Sequence, residues 1–223
     1  MTAATLKTVA AKLANRHFTT SEVGAILGMH QTEVNNLIDE IGHLGVTRSG
    51  NGVRKVACRG LFALLVAREL VRCQLKSELR PATLAEARKA KGKRVAVPGT
   101  NLELLLDPLR KEINRGLRAL YEAEAAVASK AGVMGGELCL KGTRVPVHLI
   151  GGIALAHGVD KAHATYPFLQ QRQVELAQLF AKAHPRKGRP KRVALPTTGR
   201  VVARFVIERK PQVRARAPRL SDR

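Results

Sequence analysis

Aromatic side chains are scarce in this chain. Two tyrosines, five phenylalanines and no tryptophan make up 3% of its 223 residues. Proteins that hold single-stranded nucleic acid stack the bases on aromatic platforms, so the shortage points any nucleic-acid partner toward duplex. Acidic residues are few as well, 17 against 39 Lys and Arg. They do not gather, which argues against a nuclease built on metal-holding carboxylates. The three cysteines, Cys58, Cys73 and Cys139, are far apart and form no CxxC pair. Neither a disulfide framework nor a zinc site is implied; free thiols in a reducing compartment are expected. Glycine-rich phosphate loops and Gly-x-Ser-x-Gly elbows are missing. Among the histidines, only His157 and His163 with Asp160 approach a metal spacing, and they read as helix ends. No run is long enough to span a membrane. The first residues, MTAATLKTVAAKLANR, read as an alanine-rich amphipathic helix, not a secretory signal. The expectation is a cytoplasmic protein without cofactor, metal, membrane partner or enzymatic activity.

What is abundant is positive charge. The formal net charge is +22, and such an excess predicts a polyanionic partner, because cations placed on phosphates release counterions. The excess is uneven: +6 in residues 1–90, +5 in 91–184 and +11 in 185–223.

The chain is organised around FTTSEVGAILGMHQTEVNNLIDEI, Phe18–Ile41. Thr19, Thr20 and Ser21 offer hydroxyls to cap a first helix. Val23, Ile26 and Leu27 form its apolar stripe. Gly24 leaves room for a crossing helix, and Gly28 suits the left-handed conformation that ends one. A second helix puts Val34, Leu37, Ile38 and Ile41 on one face and Gln31, Thr32, Asn35 and Asn36 on the other. That is a helix-turn-helix pattern, whose second helix enters a major groove and reads adenine edges with Asn or Gln. The competing reading is a helical hairpin with a solvated face. GVTRSGNGVRKVA follows, two short strands about Ser49–Gly52, with Arg48, Arg54 and Lys55 beside the turn. A basic hairpin so placed is a wing that touches phosphates; a plain surface hairpin is the alternative. Helices are predicted over Arg59–Gln74 and Leu79–Ala90, the latter entered through Pro81 and capped by Thr83.

Taken in order, residues 17–90 resemble the DNA-binding domain of the MerR family. The resemblance rests on the helix-turn-helix, the basic wing and the two helices after it. It implies a winged-helix fold that binds duplex DNA as a homodimer on a palindromic site, with Thr20, Gln31, Thr32, Asn35, Asn36, Arg48, Arg54 and Lys55 at the DNA.

A hairpin about Pro98–Asn101 is expected next, then a helix over Asp107–Ala128 with Asp107 as N-cap. Its stripe is Leu109, Ile113, Leu117 and Leu120. MerR-type regulators often dimerise through a helix in this place, but Gly116 and Ala123 interrupt any heptad; a linker helix packed on its own hairpin is equally compatible.

GELCLKGTRVPV, TYPFL and RQVELAQLFAKAHP carry the second resemblance, over about residues 129–185. They match a small domain family once of unknown function and now assigned to antitoxins. Two tiny strands are expected about the Lys141–Arg144 turn. Gly142, Thr143, Arg144 and Pro146 are its structural motif, with Arg144 as an ion-pair or backbone clamp. Three helices follow. Thr165 stands where the family carries an acid. Gly151 and Gly152 should each cost the first of those helices about 1 kcal/mol relative to Ala.

Together the two halves resemble VapB-type antitoxins, which pair with PIN-like ribonuclease toxins. The resemblance implies that Arg186, Lys187, Arg189, Lys191 and Arg192 of the Pro-rich basic tail reach the toxin's metal-holding carboxylates. A nonspecific DNA-attracting arm is the competing reading. Arg200–Glu208 could form a strand on a partner.

The expected fold class is mostly α with small β-hairpins. A winged helix-turn-helix domain (1–90) leads through a hairpin and linker or dimerisation helix (91–128) to a small three-helix, helix-turn-helix-like domain (129–184), and then to a basic tail (185–223). The expected function is a type II antitoxin that represses its own operon. A stand-alone MerR-like transcription regulator is the alternative.

Overall fold

Thr19 starts the first helix by a reciprocal cap. Its hydroxyl accepts the Glu22 N–H at 3.3 Å, and the Glu22 carboxylate accepts the Thr19 N–H at 2.6 Å, which satisfies two donors the helix leaves free. The computed structural model describes residues 16–42, 46–48, 53–129 and 134–186. In it, α1 (Thr20–Ile26) and α2 (Gln31–Ile41) are joined by a turn at Gly28, whose φ is +67°. The His30 ring caps α2 by accepting the Thr32 N–H at 3.3 Å. Gly24 is required by packing: a Cβ there would lie 2.8 Å from the Met29 carbonyl oxygen.

β2 (Val46–Arg48) and β3 (Arg54–Ala57) are the expected hairpin strands, antiparallel with Val46 opposite Val56. A third strand, β1 (His17–Thr19), has no signal in the sequence; it pairs with β3 and puts Phe18 opposite Val56. Both of those side chains are fully buried. The hairpin is thereby the outer part of a three-stranded sheet anchored in the core.

α3 (Cys58–Arg72) and α4 (Arg80–Lys89) follow. Thr83 does not cap α4. It lies buried inside the helix, and its hydroxyl donates to the Leu79 carbonyl at 2.8 Å. A small hairpin, β4 (Arg94–Ala96) and β5 (Glu103–Leu105), leads into α5 (Leu106–Ala125). Asp107 is likewise not the N-cap, since α5 begins one residue before it. The predicted stripe Leu109, Ile113, Leu117 and Leu120 is buried, and it faces the helix-turn-helix core. α5 is therefore a core helix of this body, and its apolar face is already covered.

β6 (Val127–Ala128) pairs with β7 (Cys139–Leu140), a second pairing without a sequence signal. Then come α6 (Val147–His157), α7 (Val159–Thr165) and α8 (Gln171–Ala183). α6 and α8 cross at Gly151, where a Cβ would lie 2.3 Å from the Ala177 carbonyl oxygen. That crossing is why a glycine is kept in α6 despite its cost to the helix. α8 contributes to both cores: Ala183 packs with the helix-turn-helix, while Val174, Ala177 and Phe180 pack with α6.

Candidate nucleic-acid interface

The apolar face of α2 buries Val34, Leu37 and Ile38, so Gln31, Thr32 and Asn36 are turned outward and exposed. Gln31 is partly oriented by donating from Nε2 to the Thr20 hydroxyl at 3.1 Å. Thr20 itself is only 7% exposed, so its hydroxyl supports Gln31 from below. Asn35 is half-buried at the edge of this face, and its backbone carbonyl accepts from Arg54 at 3.4 Å.

α2 also carries carboxylates, which would repel phosphate. The structure neutralises two of them. Arg54, on β3, pairs with Asp39 at 2.8 Å, and Arg80, on α4, pairs with Glu40 at 2.5 Å. The wing pattern predicts Arg54 on phosphate; its guanidinium is instead engaged with α2. Lys55 follows on the other face of β3 from Arg54, since side chains alternate along a strand. The side chain of Arg48 and the turn Ser49–Gly52 lie outside the described residues.

A test separates the two roles open to Arg54. Arg54→Ala should weaken duplex binding, and Arg54→Ala/Asp39→Asn should recover most of the loss, because the harm comes from an uncovered carboxylate. A direct phosphate contact would leave the double variant as weak as the single one. Asn36→Ala should cost about 1–3 kcal/mol on a specific site and relax base choice there. Fluorescence anisotropy on labelled duplexes measures both.

A polar node joins α1, α5 and the end of α8. Arg16 binds Glu124 of α5 through two hydrogen bonds, at 2.7 and 2.6 Å, and Glu22 of α1 at 2.5 Å. The Nε2 of His184, just past α8, lies 3.1 Å from the same Glu124. Burial alone would raise the Glu124 pKa, but hydrogen bonds from Arg16 and His184 together with their charge hold it down at about 2. Hydrogen bonding to Glu124 pushes Arg16 upward. Glu22, Glu124 and His184 are close enough to share a metal ion. The Arg16 guanidinium already supplies the positive charge there.

In the second half, Gly142 takes φ +78°, as the turn requires. Thr143 closes that turn, donating from its hydroxyl to the Leu140 carbonyl at 2.9 Å and accepting the Val145 N–H at 3.1 Å. Pro146 is the N-cap of α6 and bridges to Cys139. Arg144 departs from its expected role as a clamp. Its side chain is exposed and makes no hydrogen bond or ion pair among the described residues, because Thr143 and the backbone have already closed the turn. Thr165 donates back to the Lys161 carbonyl at 2.9 Å within α7. Arg186 pairs with Glu137. Lys187, Arg189, Lys191, Arg192 and the Arg200–Glu208 stretch lie outside the described residues. Cys139 is buried, Cys58 half-buried with its thiol pKa raised by burial, and Cys73 exposed.

Residues 127–181 match the family described as "Protein of unknown function (DUF433)". The matched segment runs from β6 into α8. The chain is also 32% identical over 89 residues to "Uncharacterized protein y4eO" of Sinorhizobium fredii (strain NBRC 101917 / NGR234). That alignment covers 40% of each protein, so the chain spans less than half the length of this curated relative. No solved structure matches the chain. No helix among the described residues is long and apolar enough to cross a membrane.

Proposed function

We propose that this protein is the antitoxin of a type II toxin–antitoxin pair. It binds duplex DNA at its own operator through α2 and the wing, and it neutralises a PIN-like ribonuclease by direct contact. The observation that carries the DNA half is the outward face of Gln31, Thr32 and Asn36, with Asp39 and Glu40 of the same helix neutralised by Arg54 and Arg80. A helix face of short hydrogen-bonding side chains, on which Glu33 is the one exposed carboxylate without an ion-pair partner among the described residues, suits a major groove. Three features support the ribonuclease half. One is the GTR-x-P segment's resemblance to antitoxin domains. Another is the net +11 of residues 185–223, which suits an acidic metal site. The third is α6, which is apolar along most of its length and leaves Leu149 and Leu155 about half exposed. Such surface marks protein contacts.

The test co-purifies the product of the adjacent reading frame with the full-length protein and with a variant lacking residues 185–223, and assays it for ribonuclease activity. The truncated protein should keep operator preference and lose inhibition of the ribonuclease. Full inhibition by the truncated protein would remove the tail from the mechanism. Absence of any ribonuclease partner, with site-specific DNA binding intact, would instead identify a stand-alone regulator.

A further inference from the structure

α5 carries four acidic and four basic residues: Asp107, Glu112, Glu122 and Glu124 against Arg110, Lys111, Arg115 and Arg118. As sequence the helix is neutral. In the fold it is not, because cations from elsewhere bind three of its carboxylates. Arg68 of α3 pairs with Glu112 at 2.9 Å, Arg172 of α8 with Glu122 at 2.5 Å, and Arg16 with Glu124 at 2.6 Å. Asp107 is taken by Arg110 at 3.5 Å. Lys111, Arg115 and Arg118 remain, all exposed and without an ion-pair partner among the described residues.

These three lie four and three residues apart, on one face of the helix. With a rise of about 1.5 Å per residue they span roughly 10 Å, about three nucleotide steps of roughly 3.4 Å along one strand. They line an open groove with Asn114 and Ala119, closed at one end by the Arg172–Glu122 pair. The helix that bears them is held rigidly to the helix-turn-helix. It crosses α1 at Gly116, where a Cβ would fall 2.0 Å from the Ile26 carbonyl oxygen.

We infer that Lys111, Arg115 and Arg118 form a second contact surface for the phosphate backbone of duplex DNA, outside the α2–wing face and independent of base sequence. An acidic protein surface is the other polyanion to weigh. Protein interfaces are built on an apolar centre and are poor in lysine, whereas this groove offers only Ala119 as apolar lining. The inference rests on the DNA-binding part of the proposed function.

The experiment compares full-length protein with the Lys111→Gln/Arg115→Gln/Arg118→Gln variant and with Asn114→Lys. Binding to the operator duplex and to an unrelated duplex is titrated from 50 to 200 mM salt. Each lost phosphate contact flattens the dependence of log affinity on log salt by about 0.9. Over that range the unaltered protein should therefore lose roughly 40-fold more affinity than the triple variant. Both duplexes should be affected alike, so the ratio between them stays constant. Asn114→Lys, which adds a cation to the groove without disturbing packing, should steepen the dependence by about one contact. An unchanged slope in both variants overturns the inference. So does an unchanged slope accompanied by weaker inhibition of the ribonuclease, which would assign the groove to an acidic protein. If the unaltered protein prefers no duplex, the operator reading fails, while the slopes on the unrelated duplex still decide the groove.

Discussion

Gly116→Val is expected to lower the melting temperature by roughly 6–12 °C. The reason is the crossing of α5 over α1. A Cβ at this position would stand 2.0 Å from the Ile26 carbonyl oxygen and 2.8 Å from its carbon. Those are backbone atoms, which cannot rotate aside as a side chain can, so the two helices must separate. Overpacking of this kind costs about 3 kcal/mol, and at this chain size each kcal/mol is worth about 2–4 °C. Gly151→Val should behave similarly, since its Cβ would meet the Ala177 carbonyl oxygen at 2.3 Å. Gly152, the next residue, is the control. A Cβ there meets nothing within 4 Å, so Gly152→Ala should raise stability by up to about 1 kcal/mol through helix propensity alone. Thermal melts of the three variants give the answer. Equal melting of Gly116→Val and the unaltered protein would show that α5 does not cross α1 at this point.

Arg16→Ala is expected to cost about 2–4 kcal/mol and to change how the protein responds to acid. Removing the guanidinium leaves Glu22 without its Arg16 partner and Glu124 with His184 alone. Breaking a buried ion pair costs about 3–5 kcal/mol; the expected value is lower because Arg16 and Glu124 keep 28% and 25% of their side chains exposed. Glu124 titrates at about 2 in the fold against an ordinary 4.5. A depressed carboxylate pKa means that the unfolded chain binds the proton more readily. The stability it contributes is therefore present above pH 4.5 and is lost as pH falls from there toward 2. The loss is about 3 kcal/mol at most. His148 adds an earlier loss. Burial, followed by the charge of His184, holds its pKa below 6.5, so the stability tied to its neutral form declines as pH drops through that value. Urea melts from pH 7 to pH 3 should show both declines in the unaltered protein. In Arg16→Ala the lower one should be much shallower. A parallel acid profile for the two proteins would remove Arg16 as the cause of the Glu124 shift.

Much of the local structure is legible in the sequence because local chemistry decides it. The apolar stripes of α1, α2 and α5 have the spacing of helices. Gly28 and Gly142 stand where only a left-handed backbone fits. Thr19 and Glu22 carry their own cap. The GTR turn closes on itself through Thr143. Two strands are not legible. β1 and β6 are three and two residues long, too short for an alternating pattern, and the partner of β1 lies far along the chain. As sequence, Gly116 interrupts a coiled coil and Gly151 is a cost to α6. In the fold both are helix crossings, which no residue signals without its neighbour. Arg54 is basic and beside a turn, the pattern of a phosphate contact, yet Asp39 and the Asn35 carbonyl, fifteen and nineteen residues earlier, take it.

The sequence by itself determined the helices, the turns, the polar face of α2 and the basic balance of the whole chain, because each follows from residue spacing or composition. Only the tertiary structure decided which charges remain free. α5 is neutral as written; its positive face exists because Arg16, Arg68 and Arg172 come from three other parts of the chain to bind its carboxylates. Ion pairing depends on distance in space, and distance in space is what the sequence does not state.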